Sequence, residues 1–381
     1  MPHKTAQRSL LGMQGAALLG QGLIGIFFPF FVQQNYGLSD WQTVAWFAGM
    51  QLGFGLLVWP INHYGIKYLG VRGMVQLGLG WQAVFYGLLG LGWATALSFW
   101  ILNVSFVLFL ACFWPSWHFL SVLATRDGTR GNYLGNFQML GVGVSLVTPV
   151  LTGYLLDAGL GHLVLYLAMV CFVLALFITR SVQPTGAVMH GWKEAKSIAK
   201  HTFWVRPRRW GFIADGIIGD TMWILWPLYF KAVVGSFTVM GIVSSLVALL
   251  EIFTSKYIGR MTDKISAKRM LQYGVWARWA DVSLRVVYMK FSALPVVFGI
   301  QWLGAVLGPI FSISWDARMM EIGEEQKGKT LDYFVVREIF LGLTRVVWLS
   351  WVIVLLMHFE TIYLGLAFVV AGLWAFAFRK M

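Results

Sequence analysis

Residues 161–180 read GHLVLYLAMVCFVLALFITR, with no Asp, Glu or Lys and an arginine only at the last position. At 1.5 Å per residue a helix of this length covers about 30 Å, the thickness of a bilayer's hydrocarbon core. In lipid a backbone must satisfy its own hydrogen bonds, so such a run is a spanning helix. A β-barrel would show alternating segments of about 10 residues instead.

The same pattern recurs on both sides of this stretch. Apolar runs occupy about 9–33, 41–62, 71–95, 98–123, 134–156, 161–180, 210–231, 236–257, 269–289, 292–317, 331–357 and 360–378. The predicted fold class is therefore an all-α membrane protein with twelve transmembrane helices. The composition agrees. The chain has 381 residues, 58% hydrophobic and 12% charged, where soluble domains average about 45–50% and about 25%. That charge is too sparse to cover a soluble surface, which excludes soluble enzymes, disordered tails and secreted disulfide scaffolds. Cys112 and Cys171 both sit inside apolar runs and make no CxxC, so neither a disulfide framework nor redox chemistry is expected. The first run is read as a spanning helix, not a removed signal peptide.

The net charge of +13 would point to nucleic acid in a soluble protein. Here its distribution points to topology. Twenty-three of the 29 Lys and Arg residues fall in loops on one side. Lys231 and Lys290 alone fall on the other, and Arg278, Arg285, Arg337 and Arg345 lie inside spans. Positive loops stay cytoplasmic, so both termini are expected inside. The one long connection, 181–209, is basic and polar, carries Pro184 and Pro207, and includes Arg206. It divides the chain into an N-terminal bundle (1–180), a cytoplasmic linker (181–209) and a C-terminal bundle (210–381). Short loops favour a bacterial or archaeal plasma membrane.

The halves repeat weakly at an offset near 196. Arg72, Met74, Gln76 and Gly78 match Lys268, Met270, Gln272 and Gly274. Arg130-Gly131, Leu134 and Phe137 match Lys327-Gly328, Leu331 and Phe334, and Pro29 with Gly37 matches Pro227 with Gly235. The offset spans six helices, an even number, so the repeat is parallel, a recurring transporter design. The loop after the eighth run reads Gly259-Arg260-Met261-Thr262-Asp263-Lys264-Ile265-Ser266-Ala267-Lys268-Arg269. With its glycine, acid, basic residue and basic pair, it resembles the signature loop of the major facilitator superfamily. It departs at Ser266, where glycine is usual. The first-half counterpart has Lys67 where the acid would fall but keeps Gly70. Gly141, Gly143, Pro149 and Gly153 resemble the family's glycine–proline helix, with Thr148 replacing a glycine. The resemblance implies two pseudo-symmetric six-helix bundles, with the first, fourth, seventh and tenth spans around a central cavity. In the loop, Gly259 would allow close helix approach. Asp263 would accept hydrogen bonds from a neighbouring helix N-terminus or arginine. With Lys264, Lys268 and Arg269 these residues would form a conformational latch.

Ionisable groups inside spans cost roughly 2.5–3.5 kcal/mol on insertion scales, which makes each a functional candidate. They cluster in the second half: Asp215, Asp220, Glu251, Arg278, Asp281, Arg285, Arg337, Glu338 and Arg345. Asp220 lies about 10 residues into its run, near the midplane, with Trp223 three residues on along one face. A carboxylate there could carry a proton or meet a cationic substrate. Asp215, about 140° round the helix, and Glu251 are secondary candidates. Arg278, Asp281 and Arg285 share a face and are read as a structural network. Glu338 and Arg345 share a face and Arg337 lies near the cytoplasmic entry, and all three are read as partners of the signature loop or of substrate. In the first half, Gln21 is a neutral polar candidate, and His118, four residues after Trp114, could shuttle protons. Trp114, Trp223 and Trp302 could line an aromatic cavity. No phosphate-binding loop or metal-ligand spacing is present in the sequence, so neither ATP hydrolysis nor any cofactor is expected.

The expected function is secondary active transport by alternating access, proton-coupled through Asp220, with export of an amphipathic or cationic compound. The expected partners are a small-molecule substrate, protons and membrane lipids, with no nucleic acid, and the chain is expected to act as a monomer. The alternatives are a facilitated uniporter, or a receptor or assembly factor on the same fold. No nucleophile–base pair stands out, so an enzyme is not expected.

Overall fold

The computed structural model describes residues 3–125, 129–183, 185–204 and 208–381. Arg126, Pro184, Arg206 and Pro207 lie outside the described residues, as do the side chains of Lys4 and Lys380. Among the described residues, ten segments are long and apolar enough to cross a membrane. One of them, Asp40–Gly90, has 51 residues. That is roughly 75 Å of helix, more than twice the hydrocarbon core, so it makes two crossings. The break is at Gly70, whose φ of 65° and ψ of 174° reverse the chain within one residue. The helix before it runs on to Leu69, where the sequence predicts a loop from residue 63. A further crossing, residues 267–289, is α-helical over Ala267–Ser283 and continues as a 3₁₀ helix through Leu284–Met289. Its buried charges keep its hydropathy low.

The twelve crossings are α1 (Gln7–Tyr36), α2 (40–69), α3 (71–90), α4 (Ala96–Ala124), α5 (Arg130–Asp157), α6 (Gly161–Ser181), α7 (Arg208–Val234), α8 (Phe237–Ile265), α9 (267–289), α10 (Leu294–Glu324), α11 (Thr330–His358) and α12 (Thr361–Arg379). Helices α1–α6 pack as one bundle and α7–α12 as another, joined face to face by α2 against α11 and α5 against α8. Large apolar side chains such as Leu56, Trp100, Phe253 and Val347 point outward and stay exposed. A soluble protein would bury such groups, and a lipid-facing surface presents them.

The repeat is visible in backbone geometry. Gly70 and Ser266, 196 positions apart, share an unusual conformation, with φ and ψ of 65° and 174° for the first and 88° and 143° for the second. Gly37 and Gly235 both close their helices with positive φ, 63° and 75°. A Cβ built on Gly78 would stand 3.0 Å from the backbone nitrogen of Phe113, and one on Gly274 would stand 2.9 Å from the Cα of Phe311. Each glycine thus lets one helix touch the next at its backbone.

Three crossings are irregular for a shared reason. A proline lacks the N–H that would bond four residues back, and its ring crowds that carbonyl. Helix α1 turns to 3₁₀ at Gly25–Phe27 before Pro29, and α5 is interrupted between Val144 and Thr148 before Pro149. Helix α7 widens to a π-helical turn, Thr221–Leu225, before Pro227. That turn begins directly after Asp220. Such π-turns inside α-helices recur at functional sites.

Candidate functional site

Between the bundles lies a cavity of about 570 Å³. Helices α1–α5 contribute apolar, aromatic and amide side chains, including Gln21, Phe28, Gln51, Tyr86, Phe106 and Trp114. Helices α7, α10 and α11 contribute every charged group of its lining: Asp220, Asp316, Arg337, Glu338 and Arg345. This size suits a small organic molecule.

Asp220 is buried, at 1% exposure. Its Oδ1 lies 3.4 Å from Arg345 Nε and 3.4 Å from the amide of Gln51, while Oδ2 is buried without a partner. Arg345 Nη1 in turn donates to Gln51 Oε1 at 3.4 Å. Gln51 belongs to α2, so this triad links the two bundles deep inside the protein. These contacts are long for charge-assisted bonds, which run about 2.7–2.9 Å.

A tighter cluster sits nearer the face that carries most of the basic residues. Arg337 donates to Asp215 Oδ2 at 2.7 Å and to Glu338 Oε1 at 2.5 Å. Asp215 is thereby committed to Arg337 and does not line the cavity. His118 does line it, stacked on Phe334 with ring centroids 5.2 Å apart and with Nδ1 buried and unpartnered. Trp223 stacks parallel to Phe106 with centroids 6.1 Å apart, and also touches Phe28 and Phe47. Gln21, Trp114 and Trp223 all face the cavity.

Glu251 lies apart from the cavity lining. It accepts from Gln138 Nε2 at 3.0 Å, and Gln138 Oε1 accepts from Ser312 at 3.0 Å, so α5, α8 and α10 meet there. Trp302 also departs from expectation. It is half exposed on the outer side of α10, stacked on Phe298, and is not part of the cavity lining. A helix lining a cavity exposes only one face to it, and Trp302 occupies another. Asp316 was missed by sequence reasoning because the tenth run was closed at residue 317. Helix α10 continues to Glu324, which places Asp316 well inside the protein rather than at a helix end. Neither Arg337 nor Glu338 meets the signature loop.

That loop joins the bundles at the basic face. Asp263 accepts from the backbone N–H of Gly131 at 2.7 Å and of Asn132 at 2.8 Å, at the N-terminus of α5. A Cβ on Gly259 would stand 2.7 Å from the carbonyl oxygen of Gly131 and 3.0 Å from the Cα of Gly135. Only a glycine lets the helices approach this closely. Arg130 Nη2 to Glu324 Oε2, 2.7 Å, adds a second link. Lys264, Lys268 and Arg269 are exposed on this face. On the opposite face the roles of the helices reverse. Asp157, at the C-terminus of α5, accepts from Thr238 N–H at 2.8 Å and Ser236 Oγ at 2.9 Å at the N-terminus of α8.

No family model and no curated protein sequence matches the chain. Solved structures do. A bacterial homologue of the iron transporter ferroportin, outward-facing and soaked with iron, aligns over 98% of both chains with a TM-score of 0.71 at 16% identity. The human organic anion transporter MFSD10 aligns over 98% of this chain and 100% of its own, with a TM-score of 0.67 at 13% identity. The Escherichia coli fucose:proton symporter aligns over 100% of this chain and 98% of its own, with a TM-score of 0.67 at 12% identity. The chain has the major facilitator fold. The match runs over both bundles, so the cavity lies between halves that the neighbours share. At these identities the likeness establishes the fold alone.

Proposed function

We propose that the chain is a secondary transporter that moves a small amphipathic solute with a cationic centre by alternating access, in exchange for protons. The observation that carries this reading is Asp220, a buried carboxylate with one oxygen unpartnered, lining a cavity enclosed between two bundles. A proton and a cationic group compete for such an oxygen, and competition of that kind couples the two flows. The aromatic lining supplies stacking and cation–π surface for the rest of the solute. The orientation proposed places the basic face in the cytoplasm of a bacterial or archaeal plasma membrane, in accord with the positive-inside rule. Residues 1–180 and 210–381 are proposed to move as two bodies, the chain acting as a monomer and without enzymatic activity. The cargoes of the neighbours (iron, organic anions, fucose with protons) belong to those proteins. Among the described residues no group of three or more His, Cys, Asp or Glu could hold a metal ion.

The test is flux of labelled amphipathic amines into proteoliposomes with and without a pH gradient. Wild-type protein is expected to accumulate substrate only with the gradient. Asp220→Asn, which mimics the protonated form and cannot hold the cationic centre, should lose that accumulation and gradient-free exchange of amines alike. Asp220→Glu should keep partial coupling with a shifted pH optimum. Wild-type proton-driven accumulation by a folded Asp220→Asn protein would remove Asp220 from the mechanism. No flux of any amine, zwitterionic amino acids included, would favour a receptor or assembly factor.

A further inference from the structure

The pair of Asp220 and Arg345 in the cavity lining is incomplete on both sides. Asp220 and Arg345 approach to 3.4 Å without a hydrogen bond between them. The Oδ2 of Asp220 and the Nε of Arg345 are buried and have no hydrogen-bond partner. Gln51 is shared by both, through its amide nitrogen to Asp220 and its oxygen to Arg345, each at 3.4 Å. Buried polar groups are ordinarily satisfied, and a guanidinium offers five donors. An acid and a base thus stand side by side, each with valence to spare, and both line a cavity walled by Trp223, Phe28 and Phe106.

This geometry discriminates among ligands. A plain cation bound at Asp220 Oδ2 would lie within a few ångströms of the Arg345 guanidinium, and like charges repel strongly where water is excluded. A plain anion bound at Arg345 would meet the Asp220 carboxylate in the same way. A molecule bearing an ammonium and a carboxylate on the same or neighbouring atoms satisfies both residues and leaves the local charge unchanged.

We infer that the cavity selects a small zwitterion with an aromatic or apolar body, its ammonium held by Asp220 and its carboxylate by Arg345. The inference rests on the transport reading for its role and adds the anionic group to the cationic centre already proposed. Gln51 then serves as the first bundle's sensor of occupancy, because it is the α2 group that touches both charges.

The test uses a matched set sharing one indole ring: L-tryptophan (zwitterion), tryptamine (cation) and indole-3-propionate (anion). Binding to the full chain in nanodiscs is measured by calorimetry near neutral pH. L-tryptophan is expected to bind at least tenfold tighter than either analogue. Arg345→Gln should erase its advantage over tryptamine, and Asp220→Asn its advantage over indole-3-propionate. Arg345→Lys keeps the charge and should retain part of the preference, and a thermal melt confirms that each variant is folded. Tryptamine binding as tightly as L-tryptophan, no saturable L-tryptophan binding below the millimolar range, or folded variants with unchanged preference would each overturn the inference. The two readings fail separately. L-tryptophan binding without flux in proteoliposomes would remove transport and leave zwitterion recognition standing. Flux of tryptamine with no preference for L-tryptophan would do the reverse.

Discussion

Asp281 stands between two guanidiniums, with Arg278 Nη1 at 3.0 Å and Arg285 Nη2 at 2.9 Å. Arg285 also donates to Gln301 at 3.0 Å and covers the ring of Trp226 at 3.9 Å. None of these groups lines the cavity. Removing the one acid leaves the buried Arg285 and the partly buried Arg278 uncompensated, and removing one partner of a buried pair costs about 3–5 kcal/mol. Asp281→Asn is therefore expected to lower the melting temperature sharply in a detergent thermal-shift assay. Whatever protein survives should keep the proton coupling proposed above. Loss of coupling with full stability would make the network functional. Ser266 offers the opposite test. Its φ of 88° is a conformation that costs a side-chain residue about 1–3 kcal/mol. Ser266→Gly should raise stability, and Gly70→Ala should lower it. The sequence showed Ser266 as a departure from a glycine position, but not that the backbone had stayed glycine-like. Asp220, Trp223, Trp114, Gln21 and His118 were legible because charge, amide, imidazole and indole in an apolar run stand out. Asp316 and Trp302 were not, because an error of about two turns in a helix end or an unknown rotation about the helix axis moves a side chain to another environment.

Helices α5 and α8 run antiparallel across the bundle boundary, and an aspartate clasps each end of the pair. Each clasp places a carboxylate on the free N–H groups of a helix N-terminus, where the helix dipole also favours negative charge. Asp263→Asn should slow transport far more than it weakens ligand binding, because it alters the balance between states and leaves the cavity intact. Equal losses in the two, measured by flux and by calorimetry on folded protein, would count against a latch. Topology is checked at the same scale. A cysteine in place of Gly186 should be labelled only from the side bearing the basic loops, and one in place of Gly235 only from the other. Labelling of both from one side would break the twelve-crossing arrangement. Most crossings were legible from hydropathy, since lipid imposes a simple rule on residue choice. The end of the second was not, because helix α2 continues through polar residues to Gly70 and turns on that single residue.

At the scale of the molecule, an apolar, aromatic first bundle faces a charged second one. The weak repeat in sequence corresponds to a strong repeat in backbone geometry, since a few glycines and prolines fix where helices turn, break and touch. What sequence could not supply was the pairing across the bundles. Gln51 with Asp220 and Arg345, and Gln138 with Glu251, join residues more than a hundred positions apart. The central claim is that this cavity opens to one side of the membrane at a time. The most direct measurement places one cysteine at Leu110, in the cavity wall, in a background carrying Cys112→Ser and Cys171→Ser. Its labelling rate is then read from each side of the membrane in the parent, Asp157→Ala and Asp263→Ala proteins. Asp263→Ala should raise labelling from the basic face and lower it from the opposite face, and Asp157→Ala should do the reverse. Rates that rise from both sides together, or that neither substitution shifts, would contradict alternating access.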